Sequence, residues 1–169
     1  VSQELFGLDD ISSPTSYKNK AALVIWQENY KAILDCLGLC SLMSMWTDVN
    51  IYRLDDIKEF YYLVTGEEIS EDKLQEIGSK INNIERSFNL LHAGFDRNDD
   101  LPPKKLSETP ISRGPYKGER LEMEKWNKLL DEYYQIHRWD IKSGRPTKEV
   151  LISLDLEDIL EKLEQKNLV

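Results

Sequence analysis

Residues 70–91, SEDKLQEIGSKINNIERSFNLL, decide how the chain folds. Leu74, Ile77, Ile81, Ile84, Phe88 and Leu91 fall alternately three and four residues apart, the spacing that lines up one face of an α-helix. Ser70 stands where a hydroxyl can cap the first free amides, and Glu71 and Asp72 suit the positive end of the helix. A segment this long and this periodic is expected to run through the centre of a bundle, with its apolar stripe turned inward.

The same period recurs on both sides of it. Upstream, Asp55 or Asp56 opens a helix with Ile57, Phe60, Tyr61 and Val64 inward, closed by Thr65-Gly66. Earlier still, from Tyr17 onward, Leu23, Trp26, Tyr30, Ile33, Leu34 and Leu37 share one helical face, with Gln27, Glu28, Lys31 and Asp35 on the other. Ser13, Thr15 or Ser16 is the expected cap, Pro14 fits near the start, and Gly38, which tolerates positive φ, is the expected stop. A further short helix is expected just after Cys40, through Leu42, Met43 and Trp46.

Downstream, Pro102, Pro103, Pro110, Gly114 and Pro115 forbid regular structure across 94–118. A connection this long is usually functional or wrapped on a partner. Helix returns near Glu119, with Met123, Trp126, Leu129, Leu130, Tyr133 and Ile136 inward. Gly144-Arg145-Pro146 reads as a turn and Thr147 as a cap, and Leu156, Ile159, Leu160 and Leu163 form a closing helix. No alternating strand pattern and no internal repeat is present. The expectation is an all-α multihelical bundle: one domain over residues 1–169, with 1–14 a connecting segment and 94–118 a long irregular loop.

A chain of 169 residues can bury a substantial core. Its net charge of −9 opposes binding to nucleic acid or to an anionic membrane, either of which requires a cationic field. No apolar run approaches the ~18 residues of a membrane span. Residues 1–15 lack a basic start and an apolar block, so no secretory signal is expected. The two cysteines lie four residues apart, poorly placed to pair on one helix; they read as reduced thiols and point to a cytoplasmic location. Because the chain opens on Val1 and residues 1–14 look like mid-chain connection, a processed chain or the carboxyl-terminal part of a longer one is expected.

The chemistry concentrates in Asp35-Cys36-Leu37-Gly38-Leu39-Cys40, which offers a carboxylate, a tight turn and a thiol within six residues. Asp35, one turn after Lys31, is either half of an exposed ion pair or a two-oxygen acceptor for the paired N–H edge of a heterocycle such as a pterin. Cys40 precedes a helix start, where amides favour the metal-binding thiolate; a small buried hydrophobe is the alternative, and Cys36 fits that alternative well. Two cysteines cannot complete a four-thiolate site, and His92 and His137 come with no ligand spacing. Asp96-Arg97-Asn98-Asp99-Asp100 opens like a calcium loop, yet Leu101 and Ser107 stand where its glycine and glutamate belong, so calcium is rejected in favour of a carboxylate–Arg97 network holding a turn. No phosphate loop and no nucleophile–base set is recognisable.

Three stretches together resemble the carboxyl-terminal region of the tungsten-containing aldehyde ferredoxin oxidoreductases. They are Asp35-x-x-Gly38-Leu39-Cys40; Glu85-Arg86-Ser87-Phe88-Asn89 leading into Gly94-Phe95-Asp96-Arg97-Asn98-Asp99-Asp100-Leu101-Pro102; and Gly114-Pro115-Tyr116-Lys117-Gly118, followed by Leu130-Asp131-Glu132-Tyr133-Tyr134, Trp139-Asp140 and Gly144-Arg145-Pro146-Thr147-Lys148-Glu149. The resemblance implies an enzyme oxidising aldehydes to acids on tungsten (molybdenum in some relatives) held by two pterin dithiolenes beside a [4Fe–4S] cluster, with electrons leaving to ferredoxin. Carried over by position, Cys40 would be a cluster thiolate, Asp35 would hydrogen-bond the pterin, and Gly38 and Leu39 would shape the backbone beside it. The family's portion of this kind is all helical.

The Cys-x-x-Cys-x-x-x-Cys group that supplies the family's other cluster ligands does not occur here, nor does the amino-terminal sheet domain that cradles the cofactor. The expected partners are therefore that missing amino-terminal portion and ferredoxin, with a homodimer allowed. The chain alone is expected to bind neither tungstopterin nor cluster and to be inactive. Two rival expectations stand beside this one: a stand-alone helical protein-interaction domain without redox activity, and a subunit of a related acyl thioester reductase.

Overall fold

The computed structural model describes residues 7, 11, 13–45, 48 and 50–169. Seven α-helices follow one another there: α1 Lys20–Cys36, α2 Leu54–Thr65, α3 Glu71–Ala93, α4 Lys104–Glu108, α5 Met123–His137, α6 Lys148–Ser153 and α7 Glu157–Gln165, with a 3₁₀ turn at Ser41–Met43. No strand occurs among the described residues beyond a single antiparallel bridge between Trp139 and Pro146. The chain is all-α. Most of 1–14, expected to connect, lies outside the described residues.

The central helix is α3, against which α1 packs more extensively than any other element. Ser70 caps it as its hydroxyl accepts from Lys73 N at 3.1 Å, and Gly94, at φ 67°, ends it. Its buried face differs from the expected one. Leu74 and Leu90 are buried, but between them lie Gly78, Asn83, Arg86 and Ser87, while Ile84 and Phe88 are 39% and 58% exposed. The reason is close helix contact. A Cβ at Gly78 would stand 2.6 Å from Asn29 Cα, so the backbones of α1 and α3 nearly touch there. Amides then satisfy one another across the contact: Asn29 Nδ2 donates to Gln75 Oε1 at 3.0 Å, and Asn82 Nδ2 to Asn29 Oδ1 at 2.8 Å.

Two apolar clusters flank this polar layer. Tyr30, Ile33, Leu34, Leu54, Ile57 and Leu74 form one, with Leu39 packed against it. Leu90, Leu130, Tyr134, Trp139, Val150, Leu151, Leu154, Leu156 and Leu163 form the other. Between them Arg86 grips Asp100 through both oxygens, Nη1 to Oδ1 at 2.9 Å and Nη2 to Oδ2 at 2.7 Å, and donates from Nε to Gly144 O at 2.9 Å.

Several boundaries and faces depart from expectation. Helix α1 begins at Lys20, after Asn19 in the left-handed region, and none of Ser13, Thr15 or Ser16 caps it. Asparagine reaches that conformation at low cost and so lets the preceding turn run on. In α2 only Leu54 and Ile57 are buried and Val64 is 86% exposed, because the helix engages the body through its first turn. Helix α5 starts at Met123 and buries Leu130, Tyr134 and His137, leaving Ile136 half exposed. Thr147 caps α6, and Asp155, at φ 52°, separates it from α7 where one closing helix was expected. The 94–118 stretch contains the short helix α4 and closes on itself, Gly118 N donating to Ile111 O and Ile111 N to Glu119 O, each at 2.9 Å.

Gly78→Ala separates helix propensity from packing. Propensity alone would stabilise the protein by about 1 kcal/mol, whereas overpacking against α1 is expected to win with a net loss of about 1–3 kcal/mol. A lowered denaturant midpoint checks this; an unchanged or raised midpoint would refute the close contact.

Candidate functional site at the bend after α1

The last turn of α1 carries Asp35 on its solvent side, paired with Lys31 one turn earlier. Gly38 then adopts φ 69°, and the chain reverses in a closed motif: Gly38 N donates to Asp35 O at 3.1 Å and Leu39 N to Leu34 O at 2.9 Å. Leu39 folds back onto the cluster that holds Leu34. One residue further on, Cys40 is exposed in extended conformation, its carbonyl accepting from Met43 N at 2.9 Å. The half-buried Leu39 anchors the bend, and Cys40 beside it is exposed.

The structure thus brings Asp35, Gly38, Leu39 and Cys40 onto one bend, and both Cys36 and Cys40 are free and exposed. Cys36 does not occupy the buried position that fits a small hydrophobe. The helix expected after Cys40 is a single 3₁₀ turn at Ser41–Met43, too short to exert a helix dipole on the sulfur. Trp46 lies outside the described residues. Leu37, Leu42 and Met43, each within three residues of Cys40, are exposed apolar side chains, Leu42 being 75% exposed.

Beside Asp35 a groove of about 300 Å³ runs between α1 and α3, lined by Val24, Gln27, Glu28, Lys31, Asp35, Asn82 and Glu85 among others. Carboxylates outnumber cations in it, so it favours ligands that present N–H donors. Among the described residues no cluster of three or more His, Cys, Asp or Glu side chains is arranged to hold a metal. The soft donors present are two exposed thiols, Cys36 and Cys40.

A second polar cluster joins α1 to α5. Tyr133 Oη donates to Glu28, 3.0 Å from Oε2, and the buried His137 Nε2 stands 3.5 Å from the same oxygen. Next to it Tyr134 Oη donates to Asp100 Oδ2 at 2.5 Å. Burial, reinforced by Glu28, pushes the Tyr133 phenol well above the ordinary range, and burial with the Asp100 contact does the same to Tyr134. Sequence reading left Glu28 on a solvent face and found no partner for His137. The four-residue step from Tyr133 to His137 was the available signal, since it stacks both on one face of α5. Arg97 departs from a local network as well. It reaches Asp131 at 2.7 Å and the carbonyl of Ile141 at 2.7 Å, and the turn itself is held by Asp96 and Asp99 accepting backbone amides at 2.7 and 2.8 Å.

The family described as "Aldehyde ferredoxin oxidoreductase, domains 2 & 3" matches residues 1–156. The tungsten-containing aldehyde ferredoxin oxidoreductases of Pyrococcus abyssi and Pyrococcus horikoshii are each 30% identical over 162 residues, covering 95% of this chain and 25% of theirs. That of Thermococcus kodakarensis is 28% identical over 162 residues. The chain therefore spans about a quarter of the length of the curated relatives it matches. Among solved structures, the active site complex BamBC of benzoyl coenzyme A reductase shares the fold with a TM-score of 0.71 at 24% identity, covering 94% of this chain and 22% of that one.

Tyr30, whose Oη donates to Tyr52 O at 2.6 Å, is also pushed up by burial. A phenol whose folded pKa is raised stabilises the fold fully below its unfolded value near 10, and that stabilisation is lost as pH rises above it. Of the eight tyrosines in the chain, Tyr30, Tyr133 and Tyr134 are expected to ionise only with unfolding, and the thermal midpoint to fall between pH 9 and pH 11. Absorbance at 295 nm reads this directly. Ionisation of every tyrosine while helical circular dichroism persists would contradict it.

Proposed function

The chain belongs to the aldehyde ferredoxin oxidoreductase family, and from that premise we propose that it forms one helical wall of the cofactor site of a tungstopterin aldehyde:ferredoxin oxidoreductase. The observation that carries the reading is the outward thiol of Cys40 beside the anchored Leu39. A [4Fe–4S] cluster takes four thiolates, and the chain contains two cysteines. Cys40 would supply one ligand, and the remainder would come from the portion that makes up the other three-quarters of the relatives' length. The fit is chemical: the donor is a thiol, it is accessible, and it lies in a segment whose Leu37, Leu42 and Met43 are exposed apolar side chains.

Asp35 would turn its two acceptor oxygens from Lys31 to the paired N–H edge of a pterin, a contact suited to the donor-seeking groove beside it. Gly38 would keep the bend free of a side chain there, and Leu39 would fix its distance from the helical body. Residues 1–169 would act as one unit in this role. When bound, tungstopterin supplies the oxidation of aldehyde to acid and the cluster an exit for electrons towards ferredoxin, while the chain supplies position and a defined hydrogen-bonding edge. Exposed free thiols suit a reducing, cytoplasmic setting. The fold likeness to the benzoyl coenzyme A reductase complex supports a second reading, a relative acting on an acyl thioester. Turnover of aldehydes against acyl thioesters separates the two.

In the holoprotein, Cys40→Ala is expected to remove the cluster's iron and its reduced-state electron paramagnetic resonance signal while helical circular dichroism is retained, and Cys36→Ala to keep both. Full iron content in the Cys40→Ala protein would end the proposal.

A further inference from the structure

His137 is the last residue of α5, and its side chain is 1% exposed, yet its Nε2 has no hydrogen-bond partner. A buried nitrogen left in that state is costly and uncommon. Glu28 Oε2 on α1 stands 3.5 Å away, too far for an ordinary hydrogen bond but within ion-pair reach once the ring is charged. The same carboxylate accepts from Tyr133 Oη, which lies 3.2 Å from Oε1 and 3.0 Å from Oε2. Its side chain is 37% exposed and has open space beside it. Glu28 lines a cavity of about 230 Å³ with Ala21, Val24, Trp126 and Leu130, and also the groove that holds Asp35.

The surroundings of the His137 ring admit a positive charge. It closes a helix of 15 residues, where the carbonyl end of the dipole favours a cation. It stacks on Trp139 with ring centroids 4.3 Å apart, and the Tyr133 ring meets it edge-on at 4.5 Å. An indole face attracts cations. The opposing charge is Arg86 on α3, which lies over the same indole at 5.0 Å from its centroid. Both oxygens of Asp100 already take up that guanidinium, and Tyr134 spends its hydroxyl on Asp100 as well.

We propose that His137 and Glu28 form a proton-operated switch between α5 and α1. With the imidazole neutral, Glu28 serves Tyr133 and keeps its charge beside the groove. With both ring nitrogens protonated, Glu28 turns to Nε2 and pairs with the imidazolium. The consequence reaches Asp35, seven residues along the same face of α1. Glu28, Asp35 and Glu85 give the groove three carboxylates against one cation, Lys31. Pairing Glu28 with His137 leaves two of them free, so the field at Asp35 is set by a side chain on another helix.

The test is nitrogen-15 magnetic resonance of the native-length holoprotein labelled in its histidine rings, with His137 assigned by its loss in His137→Gln. From about pH 8.5 to about pH 5.5 the His137 nitrogens are expected to pass from the singly to the doubly protonated form. In Glu28→Gln, which removes the charge and keeps an acceptor, the midpoint is expected to fall by about one pH unit. Tyr133→Phe approaches the same carboxylate from its other side: it removes the rival donor and is expected to raise the midpoint. Circular dichroism confirms that each variant is folded. A His137 ring that keeps one form across the whole range, or a midpoint unmoved by Glu28→Gln, would overturn the switch. Failure of Cys40→Ala to lose iron would sink the cofactor reading and leave these midpoints untouched, so the two are separable.

Discussion

A buried guanidinium organises this molecule. Arg86 projects from α3, takes both oxygens of Asp100 and the carbonyl of Gly144, and lies 5.0 Å from the centroid of the Trp139 ring. A charge taken out of water costs several kcal/mol unless it is paired and its remaining donors are used. Here the fork of the guanidinium meets both carboxylate oxygens while its Nε is spent on a carbonyl, a geometry no lysine reproduces. The consequence is topological. Asp100 belongs to the 94–118 stretch and Gly144 to the turn after α5, so one side chain ties two further regions of the chain to the central helix. Tyr134 adds a second donor to Asp100 and joins α5 to the same point.

From that centre the interior of α3 is polar where most helix interiors are apolar. Asn83 accepts from the Trp139 indole at 2.8 Å, and the Asn29, Gln75 and Asn82 amides pair across to α1. Such pairs fix register, because a slip by one turn would leave several buried amides unpaired. The register in turn fixes where the end of α1 falls, and with it the bend that exposes Cys40. The exactness of a thiol's position thus traces back to hydrogen bonds along the shaft of the helix before it.

Much of this was legible in the residues, and the failures share a cause. Period three-and-four identifies the long helices, Ser70 and Thr147 read as caps, and Gly38 and Gly66 as stops, since each depends on chemistry within a few residues. The bend carrying Asp35 and Cys40 was local and therefore readable. What was misread depended on neighbours far along the chain. The stripe on α3 signalled the helix, yet nothing local said that the chain would bury Asn83 and Arg86 in place of Ile84 and Phe88. Val64 and Ile136 fitted helical faces whose opposing surface is absent from the described residues. Asp100 was read as part of a local turn because its partner Arg86 lies in another element, and Glu28 with His137 was missed for the same reason.

Gly144 gives this arrangement an evolutionary edge. It sits at φ 69°, and a Cβ there would fall 2.7 Å from Arg86 Nη2 and 2.7 Å from the Tyr134 ring, so the site refuses even a methyl group. Mutational drift at Arg86, Asp100, Tyr134 or Gly144 therefore cannot proceed one position at a time without passing through a clash or an orphaned charge. Replacing the arginine would strand the Asp100 carboxylate and the Gly144 carbonyl together, so the four residues stand or fall as one knot.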